Sequence, residues 1–272
     1  MSPGLYRREN LPFELTEIAL LDADGEELLQ ASRELRIQLD LREMKKIQDY
    51  FSKRERNPTD VELQTIGQTW SEHCFHKTFK GDIVTPERKL LVTNMFKEYI
   101  AKGTDELNPS WCISVFEDNA GIIDFQGDNA IAVKVETHNH PSAIEPFGGA
   151  ATGTGGVIRD ILGVWADPIA CTDVLCFGSL DYDYRALPEG TKHPKHLFRG
   201  VVAGIGHYGN NMGIPTVDGA IHFDEGYVGN VVVYCGCVGV LPKREFTRDT
   251  KPEDIAVLAG GKTGRDGIHG VT

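Results

Sequence analysis

Along residues 41–54 the pattern LREMKKIQDYFSKR sets Leu41, Met44, Ile47 and Phe51 at helical spacing and predicts an amphipathic helix with one apolar face. Asn57-Pro58 breaks the chain. Thr59, with Glu62 three residues later, carries the capping-box signature of a second helix. That helix turns Leu63, Ile66 and Trp70 toward a core and runs into Ser71-Glu72-His73-Cys74. Residues 1–40 are charged and only weakly patterned, with a turn at residues 22–26.

Further along the period changes. Residues 111–121 read as a strand ending in a turn, and residues 130–136 alternate as a strand that Thr137-His-Asn-His-Pro141 closes. A glycine-rich loop at 148–156 leads into a helix over 157–165, followed by a strand at 169–177, a helix at 196–208 and a long buried strand at 231–241. Alternating strands and helices predict an α/β or α+β fold, a mixed sheet packed by helices. Residues 255–261 read as the first strand of a new unit, followed by KTGRDGIHGVT. A lone strand with a glycine-rich loop cannot bury its own apolar face, so the chain is expected to be a fragment or to lack a second domain.

Composition narrows the function classes. The net charge of −12 argues against sequence-independent nucleic-acid binding, which relies on Lys and Arg at phosphates. The six cysteines form no CxxC pair, and no Cys/His spacing suits a zinc finger, so they are expected to be reduced thiols. No apolar run approaches the roughly 20 residues that span a bilayer, and the start lacks a signal-peptide core. A soluble, cytoplasmic protein with neither a nucleic-acid nor a membrane partner is expected.

The densest chemistry lies at residues 134–140, KVETHNH. If the strand continued, Lys134, Glu136, His138 and His140 would share a face. An ammonium, a carboxylate and two imidazoles suit a phosphate-binding lysine, a metal-binding glutamate and an acid/base histidine; a solvated sheet face is the alternative. Asp160 follows the glycine loop, and two carboxylates beside a phosphate loop favour Mg²⁺ over zinc. In the glycine loop small residues would let backbone amides approach an anion, with Arg159 forking onto a phosphate or ribose. The alternative there is close helix–strand packing. His73 and Cys74 are adjacent, about 100° apart on a helix, so His73 is badly placed to activate the thiol. Gly261-Lys-Thr-Gly-Arg-Asp-Gly reads equally as an anion loop or an interdomain turn.

WSEHC (70–74), VKVETHNHPSAIEPFGGAATGTGGVIRDILG (133–163), FRGVVAGIGHYGNNMGIPTV (198–217) and GGKTGRDGIHG (260–270), in this order, resemble the large synthetase subunit of formylglycinamidine ribonucleotide synthase. The resemblance covers residues 59 to 272. It implies a fold shared with aminoimidazole ribonucleotide synthetase, in which an N-terminal α/β domain whose sheet joins a partner sheet precedes a C-terminal α/β domain. On that basis residues 1–40 form an extension, 41–250 the N-terminal domain and 251–272 the truncated start of the C-terminal domain.

The resemblance also implies a ligase of purine biosynthesis. ATP phosphorylates the formamide oxygen of formylglycinamide ribonucleotide, and ammonia from a glutaminase, either a separate subunit accompanied by a small bridging subunit or a fused domain, displaces the phosphate. By motif, His73 and His138 are the active-site histidines, with His138 the proton acceptor. Lys134 and His76 touch ATP, and Glu136 and Asp160 bind Mg²⁺. Thr137, His138, Asn139, His140 and Arg159 contact the ribonucleotide. His76 stands where related enzymes often carry Tyr, which puts its contact in doubt. No glutaminase nucleophile motif is visible. The competing readings are aminoimidazole ribonucleotide synthetase itself, a non-catalytic nucleotide-binding scaffold and, more distantly, a zinc hydrolase.

Overall fold

The computed structural model describes residues 16–87, 89–246, 250–257 and 259–261, with the His73 side chain outside the description. They fall into two compact units that divide after Tyr99.

The first unit is built on three capped helices. In α1 (Gly25–Glu34), α2 (Leu41–Ser52) and α3 (Asp60–Thr69), the N-caps Asp24, Asp40 and Thr59 each receive the N3 amide, and Glu27, Glu43 and Glu62 return the bond. These boxes satisfy amides that have no partner inside the helix, which fixes where each helix starts. As the 41–54 pattern predicts, Met44, Ile47 and Phe51 are buried, and they meet Leu20, Leu28, Ile37, Leu39 and Leu63 in one core. Helix α3 does not run on through residues 71–74. It stops at Thr69, and Ser71 caps a separate one-turn helix, α4 (Glu72–Phe75), by accepting the Cys74 amide. A two-stranded antiparallel hairpin, β1 (Ile83–Val84) and β2 (Leu90–Val92), follows.

A π-helical stretch (Phe96–Ala101) runs across the division into α5 (Lys102–Leu107). The second unit holds β3 (Cys112–Ser114), β4 (Gly121–Asp124), β5 (Asn129–Thr137), α6 (Asn139–Ile144), α7 (Pro146–Gly163), β6 (Asp167–Phe177), α8 (Pro194–Met212), β7 (Thr216–Phe223) and β8 (Val232–Pro242). Six strands form one sheet in the order β3-β4-β5-β8-β6-β7. Only β6 and β7 are parallel, and α8 makes the crossover between them that a parallel pair requires.

Helices α6, α7 and α8 cover one face of this sheet. Ala130 and Ala132 of β5, Val233, Cys235 and Cys237 of β8, and Leu175 and Phe177 of β6 meet Val157, Ile158, Ile161, Val201 and Ile205 there. Alternation sends Val133 and Val135 of β5 and Val174 of β6 to the other face, where they are 40%, 45% and 37% exposed.

Three sequence expectations need correction. Residues 148–156 are not a loop, because they lie within the eighteen-residue helix α7. Isolated helix propensity disfavours glycine, but here the small residues permit close packing that outweighs it. Residues 216–223, for which no element is expected, form β7, an exposed edge strand without a buried face to give alternation. Residues 255–257 form no strand: they are coil, with Ile255 and Val257 more than four-fifths exposed and no strand among the described residues pairing with them. The glycine–basic segment at 261–270 lies, apart from Gly261, outside the described residues.

Candidate active site

Strand β5 runs antiparallel to β8 and projects Lys134 and Glu136 toward α7, on the same side as Ala130 and Ala132. Apolar residues occupy the first half of that face and charged ones the second, so the strand passes from core to site along its own length. Asp160 comes from the C-terminal half of α7. The Lys134 ammonium lies 3.0 Å from the Asp160 carboxylate and 3.5 Å from that of Glu136. The Lys134, Glu136 and Asp160 side chains are 23%, 33% and 13% exposed, open enough to reach a ligand yet shielded enough to strengthen the attraction.

The strand ends at Thr137, so the predicted run of four side chains on one face is interrupted. His138 is the N-cap of α6, and His140 sits in the first turn of that helix, exposed. Proline at 141 explains the change, since it is well placed in a first helical turn and cannot donate to a strand ladder. His138 nevertheless stays on the helix-covered side: its Nδ1 lies 2.8 Å from the Gly149 carbonyl oxygen of α7. Its backbone is held by donating to the Val233 carbonyl at 2.7 Å and accepting from the Ser142 hydroxyl at 2.7 Å. Asn139 ties the same corner to β8 by accepting the Val233 amide at 2.8 Å.

The glycines of α7 make this approach possible. A Cβ on Gly149 would stand 2.5 Å from the Pro141 carbonyl carbon, and one on Gly153 would stand 2.9 Å from the His138 Cβ. The glycine-rich segment therefore acts as a packing surface for α6 and β5, the alternative that the sequence left open.

The other expected residues are placed as follows. Thr137 is exposed and, by alternation, faces away from Glu136. Arg159 is exposed on α7 and forms no ion pair among the described residues. His73 and His76 belong to the first unit: His73 in α4, and His76 as its left-handed C-cap at φ 56° with an exposed side chain. Among the described residues no three His, Cys, Asp or Glu side chains form a ready-made metal cage.

One group escaped the sequence reading. Asp173 of β6 is 7% exposed, and Cys235 of β8 lies between it and Glu136 in register. Its Oδ1 has no hydrogen-bond partner, its Oδ2 has only a long 3.5 Å contact with the Thr216 hydroxyl, and burial raises its pKa. Burial, with the nearby Asp173 charge, also pushes the Cys235 thiol up, so it is protonated and unreactive at neutral pH. The signal was a carboxylate inside the otherwise apolar run CTDVLCF.

Comparison with known proteins agrees with this architecture. The family described as AIR synthase related protein, N-terminal domain, matches residues 117–241, and the formylglycinamide ribonucleotide amidotransferase linker domain matches residues 28–77. Phosphoribosylformylglycinamidine synthase subunit PurL of Thermoplasma acidophilum is 43% identical over 93% of this chain, and that of Picrophilus torridus 45% identical over 84%. The chain spans 31% and 28% of the length of those two relatives. The structure of T. maritima PurL complexed with ATP superposes with a TM-score of 0.55 at 33% identity, over 80% of this chain and 30% of that one. Among the described residues no helix is long and apolar enough to cross a membrane. With identity carried through most of the chain, this protein is a homologue of part of the PurL subunits of phosphoribosylformylglycinamidine synthase.

Proposed function

We propose that the complete protein is an ATP-dependent carbon–nitrogen ligase that converts formylglycinamide ribonucleotide to the formylglycinamidine ribonucleotide, with ADP and phosphate as the other products. The observation that carries this reading is the convergence of Lys134 and Glu136 of β5 with Asp160 of α7, with His138 held just past the end of β5. A related protein, T. maritima PurL, is known in complex with ATP.

In this reading Lys134 meets the ATP phosphates as a point charge. The donor set fits a magnesium ion: two carboxylates already converge on one cationic centre, and Mg²⁺ is ordinarily held by one or two carboxylates together with substrate phosphates. Glu136 and Asp160 would hold it, and when bound it would neutralise charge on the transferring phosphoryl group. The formamide oxygen of the substrate takes the γ-phosphoryl group and ADP leaves. Ammonia then attacks the activated carbon, His138 takes a proton from the nitrogen, and phosphate departs. Asn139, His140, Arg159 and Thr137 are assigned to the ribonucleotide, and His73 and His76 to the active site and the nucleotide. A glutaminase subunit and a small bridging subunit would supply the ammonia. We place the protein in the cytoplasm, a reading supported by six free cysteines.

The test is ADP release by the complete protein with Mg-ATP, formylglycinamide ribonucleotide and ammonium, beside His138→Ala. Release should require both the ribonucleotide and ammonium, and should fall about 100- to 10,000-fold in the variant, the range for loss of an acid/base group. A folded protein that binds ATP and releases no ADP with ammonium supplied directly would refute the ligase.

A further inference from the structure

We propose that helix α7 fixes the tautomer of His138: the Gly149 carbonyl holds its proton on Nδ1, and the absence of a side chain at Gly153 seats the ring, so that the neutral imidazole presents a bare Nε2. This deepens the assignment of His138 as proton acceptor and rests on it for its chemical meaning.

A carbonyl oxygen can only accept a hydrogen bond. The 2.8 Å contact between His138 Nδ1 and the Gly149 oxygen therefore requires Nδ1 to be the donor. A neutral imidazole carries one proton, so Nε2 keeps its lone pair and is the atom that can accept a proton. The ring has little freedom to turn away. Its backbone is tied on both sides, by the Val233 carbonyl and the Ser142 hydroxyl, each at 2.7 Å. Its inner flank lies against Gly153, where a Cβ would come within 2.9 Å of the His138 Cβ and 3.2 Å of its Cγ. The Cys235 sulfur, 3.2 Å from that same Cβ position, leaves a new methyl group no sideways escape. An alanine at 153 would thus push the imidazole off the Gly149 carbonyl and free it to carry its proton on either nitrogen. Gly149 and Gly153 are positioning residues: they act on the reaction through His138.

The experiment is ¹⁵N NMR of histidine-labelled complete protein, with the His138 signals assigned by their loss in His138→Ala, read together with steady-state ADP release. In the wild-type protein the neutral ring should carry its proton on Nδ1 and leave Nε2 bare. In Gly153→Ala the signals should move toward a mixture of tautomers. The kcat should drop about 10-fold or more while KM for ATP stays within about two-fold, as expected when a proton-transfer geometry is lost and binding is kept. Gly206→Ala, where a Cβ on α8 meets nothing within 4 Å, should change neither reading. A wild-type spectrum with the proton on Nε2 overturns the proposal, and that measurement stands even if Gly153→Ala does not fold. An unchanged spectrum and kcat in a folded Gly153→Ala overturn the role of Gly153. If the tautomer is as expected but no substrate combination gives ADP release, the tautomer assignment is supported and it is the ligase reading that falls.

Discussion

At the scale of single residues, Asp173 is the group with most at stake. It is buried, and one carboxylate oxygen has no partner, while the neighbouring Cys235 thiol is a weak donor that does not satisfy it. Burial raises its pKa in the folded protein. A carboxyl whose folded-state pKa is raised binds its proton more tightly when folded, so stability is full below the unfolded value of about 4 and is lost as pH climbs toward the folded value. Asp173→Asn removes the charge and keeps the shape. It should raise the melting temperature at neutral pH and flatten the decline seen on going up from about pH 4. Thermal melts across that range decide it, and a variant less stable than wild type at pH 7 would show that the charge has a partner. The chain alone gives only a carboxylate in an otherwise apolar run; how deep Asp173 lies depends on β8, which arrives between it and Glu136. Lys134 and Glu136 stand out in the sequence because they fall in the short run KVETHNH, and Asp160 because it closely follows the glycine-rich stretch. Thr137 and His140 were harder, because their directions depend on where β5 stops.

At the scale of elements, the capped helices α2 and α3 were readable to within a few residues, since caps and apolar spacing are both local. Helix α7 was not. Its glycines look like a loop until the surfaces they meet are known: α6, β5 and α8 all approach it where side chains are missing. The partner helix makes the same demand. A Cβ at Gly204 of α8 would fall 2.2 Å from the Phe147 carbonyl oxygen of α7, whereas one at Gly206 meets nothing. Gly204→Ala should therefore destabilise the fold by about 1–3 kcal/mol through overpacking against rigid backbone. Gly206→Ala, two residues along the same helix, should stabilise by up to about 1 kcal/mol, the ordinary helix preference for alanine. Chemical denaturation of both variants checks the pair, and equal effects would refute the close helix contact.

At the scale of the whole molecule, the second unit is two layers deep, with helices on one face of the sheet and apolar side chains exposed on the other. Neighbouring positions on β5 should therefore respond oppositely to the same substitution. Val133→Lys places an ammonium in solvent and should change stability by no more than about 0.5 kcal/mol. Ala132→Lys forces the same charge into the packed core and should cost several kcal/mol, of order 3–5, or prevent folding. Circular dichroism melts of the two variants distinguish them, and a severe loss from Val133→Lys would mean that the open face is covered. The sequence predicted an α/β fold with a helix-packed mixed sheet, which the structure bears out. It could not give the strand order, because β8, the last strand among the described residues, sits at the centre of the sheet between β5 and β6. That placement also sets a timetable during synthesis. Helix α7 carries six glycines and is too poor a helix former to hold its shape before it has a surface to lie on. Part of that surface is β8. On the ribosome, Lys134, Glu136, His138 and Asp160 are all made before β8 emerges, so a chain halted anywhere between Asp160 and Val232 would hold every one of these groups without the strand that seats them.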